Sequence, residues 1–219
     1  MSAFWLSMRV AAWTTLLLVP LGLALGRALA ASRWRHRAWL EAALLLPLVL
    51  PPTVIGYYLL VALAPSSPVG AALAAVVGQP LVFSFPGLVL ASVIVNLPFA
   101  VQPVQQAYAA LPPDVREAAA VSGLSPPRAF LAVELPLVWT GVFGAAALVF
   151  AHTLGEFGVV LMVGGNIEGV TRTLSIAIYD DVQSFDMRAA GLASLALVAF
   201  SLVALAAVRL AAARAERAR

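Results

Sequence analysis

Five long apolar runs constrain the fold of this chain more than any other feature. A helix needs about twenty mostly apolar residues to cross the hydrocarbon core of a bilayer. The runs that meet this length are 10–31, 38–64, 87–111, 137–163 and 189–210. Prolines interrupt the second and third runs, which membrane helices tolerate because neighbouring groups satisfy the freed backbone. The sequence therefore predicts an all-α integral membrane protein with about five transmembrane helices.

A further apolar stretch, 70–85, is shorter and is interrupted at Gly78-Gln79-Pro80. Its length falls below the twenty or so residues that a spanning helix requires. We interpret it as a re-entrant or interfacial segment on one side of the membrane. A sixth span is the alternative interpretation.

The composition agrees with a membrane protein and excludes several chemistries. Of the 219 residues, 63% are hydrophobic and only 11% are charged, whereas a soluble domain has about 25% charged residues. The net charge of +3 comes from arginines that adjoin the apolar runs, so we assign them to membrane orientation and not to nucleic-acid binding. Because the sequence has no cysteine, it offers no disulfide, thiol nucleophile or cysteine metal ligand.

The arginines are distributed asymmetrically between the two sides. With the N-terminus outside, the inner segments carry nine arginines and the outer segments three, namely Arg9, Arg172 and Arg188. The positive-inside rule therefore predicts a multi-pass protein of the cell membrane with its C-terminus in the cytoplasm. A cleaved signal peptide ending at ALAAS (28–32) is the alternative for the first run. The length of the run and the basic RWRHR that follows it argue against cleavage.

The segment 111–136 lies between the third and fourth apolar runs, and this topology places it in the cytoplasm. Pro112 and Pro113 suit the first turn of a helix, and an alanine run follows. Gly123 suits the left-handed position that ends a helix. Ser125 can cap a second helix. The segment therefore predicts two short helices joined by a bend.

The spacing within this segment is more specific than its helix chemistry. Glu117-Ala118-Ala119, three residues, Gly123, nine residues, Val133, one residue and Leu135-Pro136 resemble the EAA loop of ABC importer permeases, which has Ile at the place of Val133. The resemblance implies the fold of such a permease, with a loop that docks on a separate ATP-binding subunit. The positions that it implies for coupling are Glu117, Ala118, Ala119, Gly123, Leu135 and Pro136.

The same resemblance implies the partners of the chain. The sequence has no lysine and therefore no P-loop, so ATP and Mg²⁺ are expected on a partner ATPase, with no cofactor on this chain. The chain has one such loop and no internal repeat, so we expect residues 1–219 to form a single domain that pairs with a second copy. The homodimer would bind a dimer of ATP-binding subunits and an extracytoplasmic binding protein.

Two other stretches indicate which subfamily of these permeases the sequence resembles. LPLVLPPTVIGYYLL (46–60) and HTLGEFGVVLMVGGNIEGVTRTLSIAIYD (152–180) resemble molybdate permeases, and sulfate and tungstate permeases share the GEFG and GNI elements. The outer segment Thr171-Arg172-Thr173 resembles the molybdate branch, whereas Glu168 stands where the related sequences have proline. The resemblance implies a permease that translocates molybdate delivered by an oxyanion-binding protein. A sulfate, thiosulfate or tungstate permease is the alternative.

An anion path needs hydrogen-bond donors that bind weakly enough to release the ion. The polar residues within the apolar runs that could supply them are Asn96, Gln102, Gln105, Gln106 and Thr153. Hydrogen bonds between helices are the alternative role for such side chains.

His152 and Glu156 lie four residues apart and could pair on one helix face. A zinc site needs a third ligand, and a carboxylate in an anion path would repel the substrate. We therefore predict no metal and interpret Glu156 as a buried structural or gating residue. An intramembrane enzyme would need a nucleophile–base pair that the sequence lacks, and a membrane anchor would not need the EAA spacing.

Overall fold

The computed structural model describes residues 3–32, 34–112 and 114–217, with the side chains of Arg116, Glu117, Ala120, Val208, Arg209 and 211–217 left out. Every regular element in this part of the chain is a helix, as predicted. The helices are α1 (Ala3–Ala31), α2 (Arg37–Val49), α3 (Pro52–Leu63), α4 (Pro68–Val77), α5 (Phe85–Ala109), α6 (Asp114–Val121), α7 (Pro126–Ala129), α8 (Leu135–Gly155), α9 (Gly158–Gly164), α10 (Leu174–Gln183) and α11 (Met187–Arg217). A π-helical turn, Phe130–Glu134, joins α7 to α8.

Four helical segments in the described residues are long and apolar enough to cross a membrane. They are α1, α5, the continuous unit Pro126–Gly155 and the Met187–Ala207 part of α11. The pair α2 and α3 qualifies only as a bent unit with an angle of 109° between the two helices. The prediction of about five spans is confirmed. Within the stretch 70–85, residues 70–77 belong to the ten-residue α4, which is too short for a sixth crossing.

Two of the predicted spans are not continuous helices. The run 38–64 breaks at Leu50 and Pro51, where α2 ends and α3 begins with Pro52 at its first position. Two consecutive prolines remove two backbone N–H groups, so the α2 hydrogen-bond pattern cannot continue through them. The run 137–163 breaks after Gly155, where Glu156 is extended before α9 begins.

Helix α5 lies at the centre, and glycines bring two other helices against its backbone. A Cβ atom on Gly22 of α1 would lie 2.6 Å from the carbonyl oxygen of Ala100. One on Gly26 would lie 2.8 Å from Val104 Cγ1, and one on Gly141 of α8 would lie 2.8 Å from the carbonyl oxygen of Pro103. Small residues at such spacing allow membrane helices to approach closely. The helices α1, α5 and α8 therefore form the tightly packed centre of the fold.

The two broken runs pack against each other. A Cβ atom on Gly158, at the start of α9, would lie 2.7 Å from Pro52 Cβ at the start of α3. At the far end of α3, Leu63 belongs to a buried cluster with Val163 and with residues near the beginning of α5. At the other end of the bent pair, Glu41 of α2 accepts a hydrogen bond from Gln105, near the end of α5. The two ends of the pair α2–α3 therefore lie near opposite ends of α5, as expected if the pair is one bent span.

The close approach of α1 to α5 predicts a specific steric effect. Gly22→Ala should lower the free energy of unfolding by about 1–3 kcal/mol, because the added methyl group meets backbone that cannot move independently. Gly144→Ala in α8 is the matched control, since among the described residues nothing lies within 4 Å of a Cβ there. That control should be neutral or stabilising by up to about 1 kcal/mol, from helix propensity. Thermal unfolding in detergent measures both, and equal unfolding temperatures would contradict this packing.

Candidate coupling joint and membrane pathway

The segment 111–136 forms the helix, bend and helix that its sequence predicts. Helix α6 ends in a turn where Gly123 has φ +73°, and the N–H of Leu124 donates to the Ala119 carbonyl at 3.2 Å. This is the left-handed ending that glycine favours. Among the described residues, nothing lies within 4 Å of a Cβ at Gly123. The glycine is therefore needed for its backbone conformation and not to relieve crowding.

The caps of this segment differ in detail from the prediction. Ser125 occupies the N-cap position of α7, but within the described residues its hydroxyl makes no capping hydrogen bond. Pro112 precedes α6, which begins at Asp114, and Pro113 lies outside the described residues. The backbone of Glu117 is helical, whereas its side chain is outside the described part. Leu135 and Pro136 begin α8 directly after the π turn.

An ion pair whose carboxylate is buried links the end of this segment to α1. Arg27 Nε donates to Glu134 Oε2 at 2.7 Å, and Nη2 donates to Oε1 at 3.1 Å. The Glu134 residue is only 5% exposed. The pair was not predicted from the sequence, where neither residue was among the candidate site residues. A usable signal was present, because ionisable residues within apolar runs are functional candidates by default.

The glutamines of α5 line a groove between α2 and α5. Gln102, Gln105 and Gln106 share this space, of about 360 Å³, with Arg37 and Glu41. Gln105 Nε2 donates to Glu41 Oε1 at 2.6 Å, and Arg37 Nε donates to the same oxygen at 2.7 Å. The structure therefore brings together three of the polar residues that the sequence singled out as donors.

Asn96 and Thr153 lie elsewhere, in the packed interior of the bundle. Asn96 is fully buried, and its Nδ2 donates to the Ser92 carbonyl at 2.8 Å. Its Oδ1 lies 3.1 Å from Nδ1 of His152 in α8. Thr153 Oγ1 donates to the Val149 carbonyl one turn earlier. Both side chains use their polar atoms within and between helices, which is the alternative role considered for them.

Glu156 and His152 make their hydrogen bonds to other groups and not to each other. Glu156 is 7% exposed, and its Oε1 accepts from the N–H of Val159 at 3.0 Å. Its carbonyl oxygen accepts from Ser175 Oγ at 2.7 Å. The carboxylate thus satisfies an N–H in the first turn of α9, where the chain has just left α8. It stabilises the break between the two helices.

The outer segment that contains Thr171, Arg172 and Thr173 forms a hydrogen-bonded turn. Thr171 Oγ1 accepts from the N–H of Ile167 at 3.1 Å. Thr173 Oγ1 caps α10 and accepts from the N–H of Ile176 at 3.4 Å. The backbone N–H of Leu174 donates to Ser7 Oγ of α1 at 2.8 Å. The two threonines therefore shape the turn and fix its exit into α10.

Arg172 pairs with a carboxylate of α10. Its Nη2 donates to Asp180 Oδ2, which also accepts from Asn166 Nδ2 at 2.8 Å. Burial raises the pKa of Asp180, but the hydrogen bonds from Asn166 and Arg172 outweigh burial, so the pKa lies below its usual value. The charge of Arg172 is thus compensated within the outer segment.

Comparison with known proteins assigns the chain to one family. The family model described as "Binding-protein-dependent transport system inner membrane component" matches residues 19–218. The chain belongs to this family: it is a multi-pass membrane subunit of a transport system and not an enzyme. Proteins of this family work with an ATP-binding subunit and an extracytoplasmic binding protein, so partners of both kinds follow from membership.

Several relatives cover most of the chain. The molybdenum transport system permease protein ModB of Azotobacter vinelandii is 43% identical over 87% of this chain and 84% of that protein. The putative molybdenum transport system permease protein YvgM of Bacillus subtilis is 37% identical over 80% of this chain and 77% of its own length. A probable sulfate transport system permease protein, cysT of Chlorella vulgaris, is 29% identical over 87% of this chain and 71% of its own length.

A solved structure shares the fold. The crystal structure of a bacterial ABC transporter involved in the import of alginate matches with a TM-score of 0.69. The match covers 99% of this chain and 80% of that one at 16% identity. The all-α fold of an ABC importer permease, which the EAA spacing implied, is thereby confirmed.

The contact of Glu156 with α9 leads to a prediction about its role. Glu156→Ala should lower the free energy of unfolding by about 1–3 kcal/mol, because it leaves the buried N–H of Val159 without an acceptor. Glu156→Gln keeps a side-chain oxygen and should stay near the wild type. Thermal unfolding of the two variants in detergent separates these effects. If Glu156→Gln is as unstable as Glu156→Ala, the negative charge and not the hydrogen bond stabilises the break.

Proposed function

We propose that two copies of this chain form the membrane pathway of an ABC importer for molybdate. The observation that carries the substrate is the similarity to proteins named as molybdenum permeases, at 43% and 37% identity over most of the chain. The relative named as a sulfate permease is 29% identical. Sulfate is therefore the second candidate, since it is also a tetrahedral dianion.

The segment 111–136 supplies the joint with the ATPase in this proposal. Its helix α6 ends at an open turn around Gly123, which leaves room for a partner surface to approach. Through α7 and the π turn the segment continues directly into α8, so a displacement of α6 reaches the membrane helices along the chain. Each chain has one such joint, and two ATP-binding subunits need two joints, which favours a homodimer.

The orientation in this proposal has the N-terminus outside and the C-terminus in the cytoplasm. The C-terminal ends of α1 and α5 and the N-terminal end of α8 lie together at one end of the bundle. The residues that lie close together there are Arg27 of α1, Tyr108 of α5 and Glu134 before α8. The arginine-rich segments follow the same ends in the sequence, and the positive-inside rule places such ends in the cytoplasm. The joint with the ATPase then faces the compartment that contains ATP.

The groove beside Gln102, Gln105 and Gln106 is the part of the anion path that we assign to this chain. Carboxamide groups can donate hydrogen bonds to an oxyanion without holding it strongly, as rapid release requires. The carboxylate in the groove, Glu41, is compensated by Arg37 and Gln105. Asn96, Thr153 and Glu156 are assigned to helix packing beside this path.

The coupling role predicts a loss of transport without a loss of the membrane dimer. Gly123→Asp and Glu117→Arg should abolish uptake by the reconstituted complex, because each places a new charge at the joint with the ATPase. Gly78→Asp is a matched control: Gly78 has φ +80° and, among the described residues, nothing within 4 Å of a Cβ. It ends α4, on the outer side in this orientation, and its variant should keep uptake.

Uptake into vesicles and size-exclusion chromatography of the complex measure this prediction. Normal uptake in both joint variants would contradict the coupling role. A joint that faced outward could not meet the ATPase in intact cells, so cross-linking of the two subunits before the cells are lysed tests the orientation.

The substrate is tested by competition. Vesicles that contain the permease dimer, its ATPase and the binding protein, with ATP on the ATPase side, should accumulate labelled molybdate. A large excess of sulfate should reduce this uptake only slightly, whereas tungstate should compete, because the larger anions have similar metal–oxygen lengths. The binding protein makes most of this distinction in a closed pocket, where misplaced donors are costly, so the membrane dimer alone should bind oxyanions negligibly. Loss of molybdate uptake at equal sulfate would assign the chain to the sulfate branch.

A further inference from the structure

We propose that Arg27 is a positioning residue for coupling: by binding both ends of the π turn, it makes the junction between the coupling segment and the membrane helices rigid. This inference rests on the proposed coupling role of segment 111–136. It concerns a contact between residues 107 positions apart in the chain. It assigns a role to the one position that the EAA spacing leaves open between Val133 and Leu135, which is Glu134.

The ion pair has the geometry of a specific contact. The guanidinium of Arg27 binds both carboxylate oxygens of Glu134, at 2.7 Å and 3.1 Å, which is the bidentate arrangement that fixes direction as well as distance. The carboxylate is almost completely buried. Buried charges are costly unless they are paired with good geometry. The position of Glu134 is therefore tied to that of Arg27.

Arg27 also contacts the other end of the same turn. Its guanidinium carbon lies 5.2 Å from the centroid of the Phe130 ring, within the range of a cation–π interaction. Phe130 is the first residue of the π turn and Glu134 is the last. One side chain thus holds the two residues between which the coupling segment becomes α8.

The π turn is the element in this connection that needs such support. Its hydrogen bonds join residues five apart, as in the bond from the N–H of Leu135 to the Phe130 carbonyl. Such turns are rare and occur mostly as single turns at functional positions. A groove of about 490 Å³, lined by α1 residues and Phe130, lies beside the turn. The turn therefore has room to deform on this side, and the contacts of Arg27 oppose that deformation.

The position of Arg27 is itself fixed by the packed centre of the bundle. It follows Gly26, whose close contact with Val104 holds this part of α1 against α5. The helices α1, α5 and α8 contact one another closely at their glycines. Because Arg27 belongs to α1, it therefore connects the turn to all three helices. A movement of α6 by the ATPase then displaces the bundle instead of bending the turn.

The first test measures coupling in the reconstituted complex. Arg27→Met and Glu134→Gln should each raise the number of ATP molecules hydrolysed per labelled molybdate imported by about tenfold or more, because the turn bends while the ATPase still cycles. The double variant should be no worse than the more affected single variant, since both remove the same contact. Arg27→Lys, which keeps the charge but not the two-pronged geometry, should also be uncoupled. Arg35→Met, which removes an exposed arginine from the connection between α1 and α2, is the control and should match the wild type.

The second test does not depend on the substrate. This chain has no cysteine, so a spin label can be attached to one introduced cysteine in each of the two permease copies of the complex. Labels at Ser125, in the coupling segment, and at Leu137, in the first turn of α8, report the distance between the two copies with and without ATP and Mg²⁺. In the otherwise unchanged complex both distances should change on addition of ATP. With Glu134→Gln or Arg27→Lys, the change at Ser125 should persist and the change at Leu137 should be lost.

The outcomes distinguish this inference from the proposed function. If neither label responds to ATP in the complex without further substitution, the coupling role of segment 111–136 is wrong. If both respond there and Leu137 still responds in the Arg27 and Glu134 variants, the inference is wrong and the pair only stabilises the fold. Effects that add in the double variant, or variants that lower the amount of assembled complex with an unchanged ATP-to-molybdate ratio, would also overturn it.

Discussion

The fold depends on the close approach of two helices to the backbone of α5. Inside a bilayer, apolar side chains gain little by leaving lipid for another helix, so association relies on close packing and on hydrogen bonds. Gly22 and Gly26 of α1 and Gly141 of α8 provide that packing on α5. The polar contacts that could serve transport lie at the ends of the bundle formed by α1, α5 and α8. The packing of these three helices sets their positions.

The bilayer explains why the spans were predictable from sequence and why their interruptions were not. Membrane thickness fixes the length of a spanning helix, so five apolar runs were sufficient to predict about five spans. The same residue type had opposite effects, however: Pro98 and Pro103 remain within α5, whereas Pro51 and Pro52 divide the second run by a bend of 109°. The direction after such a break is set by tertiary contacts, here that of Gly158 with Pro52, which no local pattern encodes.

The sequence also predicted some features of the candidate site correctly and missed others. The αL turn at Gly123 has a local cause, and the sequence predicted it correctly. The sequence identified the polar residues of the spans but did not show which of them line a groove and which pack between helices. That distinction depends on the helices that pack around α5. Gln102 and Gln105 lie in a groove, whereas Asn96 is used for packing. The contact of Arg27 with Glu134 joins distant parts of the sequence and was not predicted.

The distribution of polar contacts over the bundle bears on how such a protein can transmit movement. The middle is held by close packing and by the hydrogen bond between Asn96 and His152, and it is rigid because close-packed interiors deform little. One end of the bundle carries the pairs of Arg27 with Glu134 and of Arg37 with Glu41, and the other end carries Arg172 with Asp180. A rigid centre with directional polar contacts at both ends can move as one body. In the proposed coupling role, a force applied to α6 at the Arg27 end can then change the Arg172 end without a separate pathway of residues through the membrane.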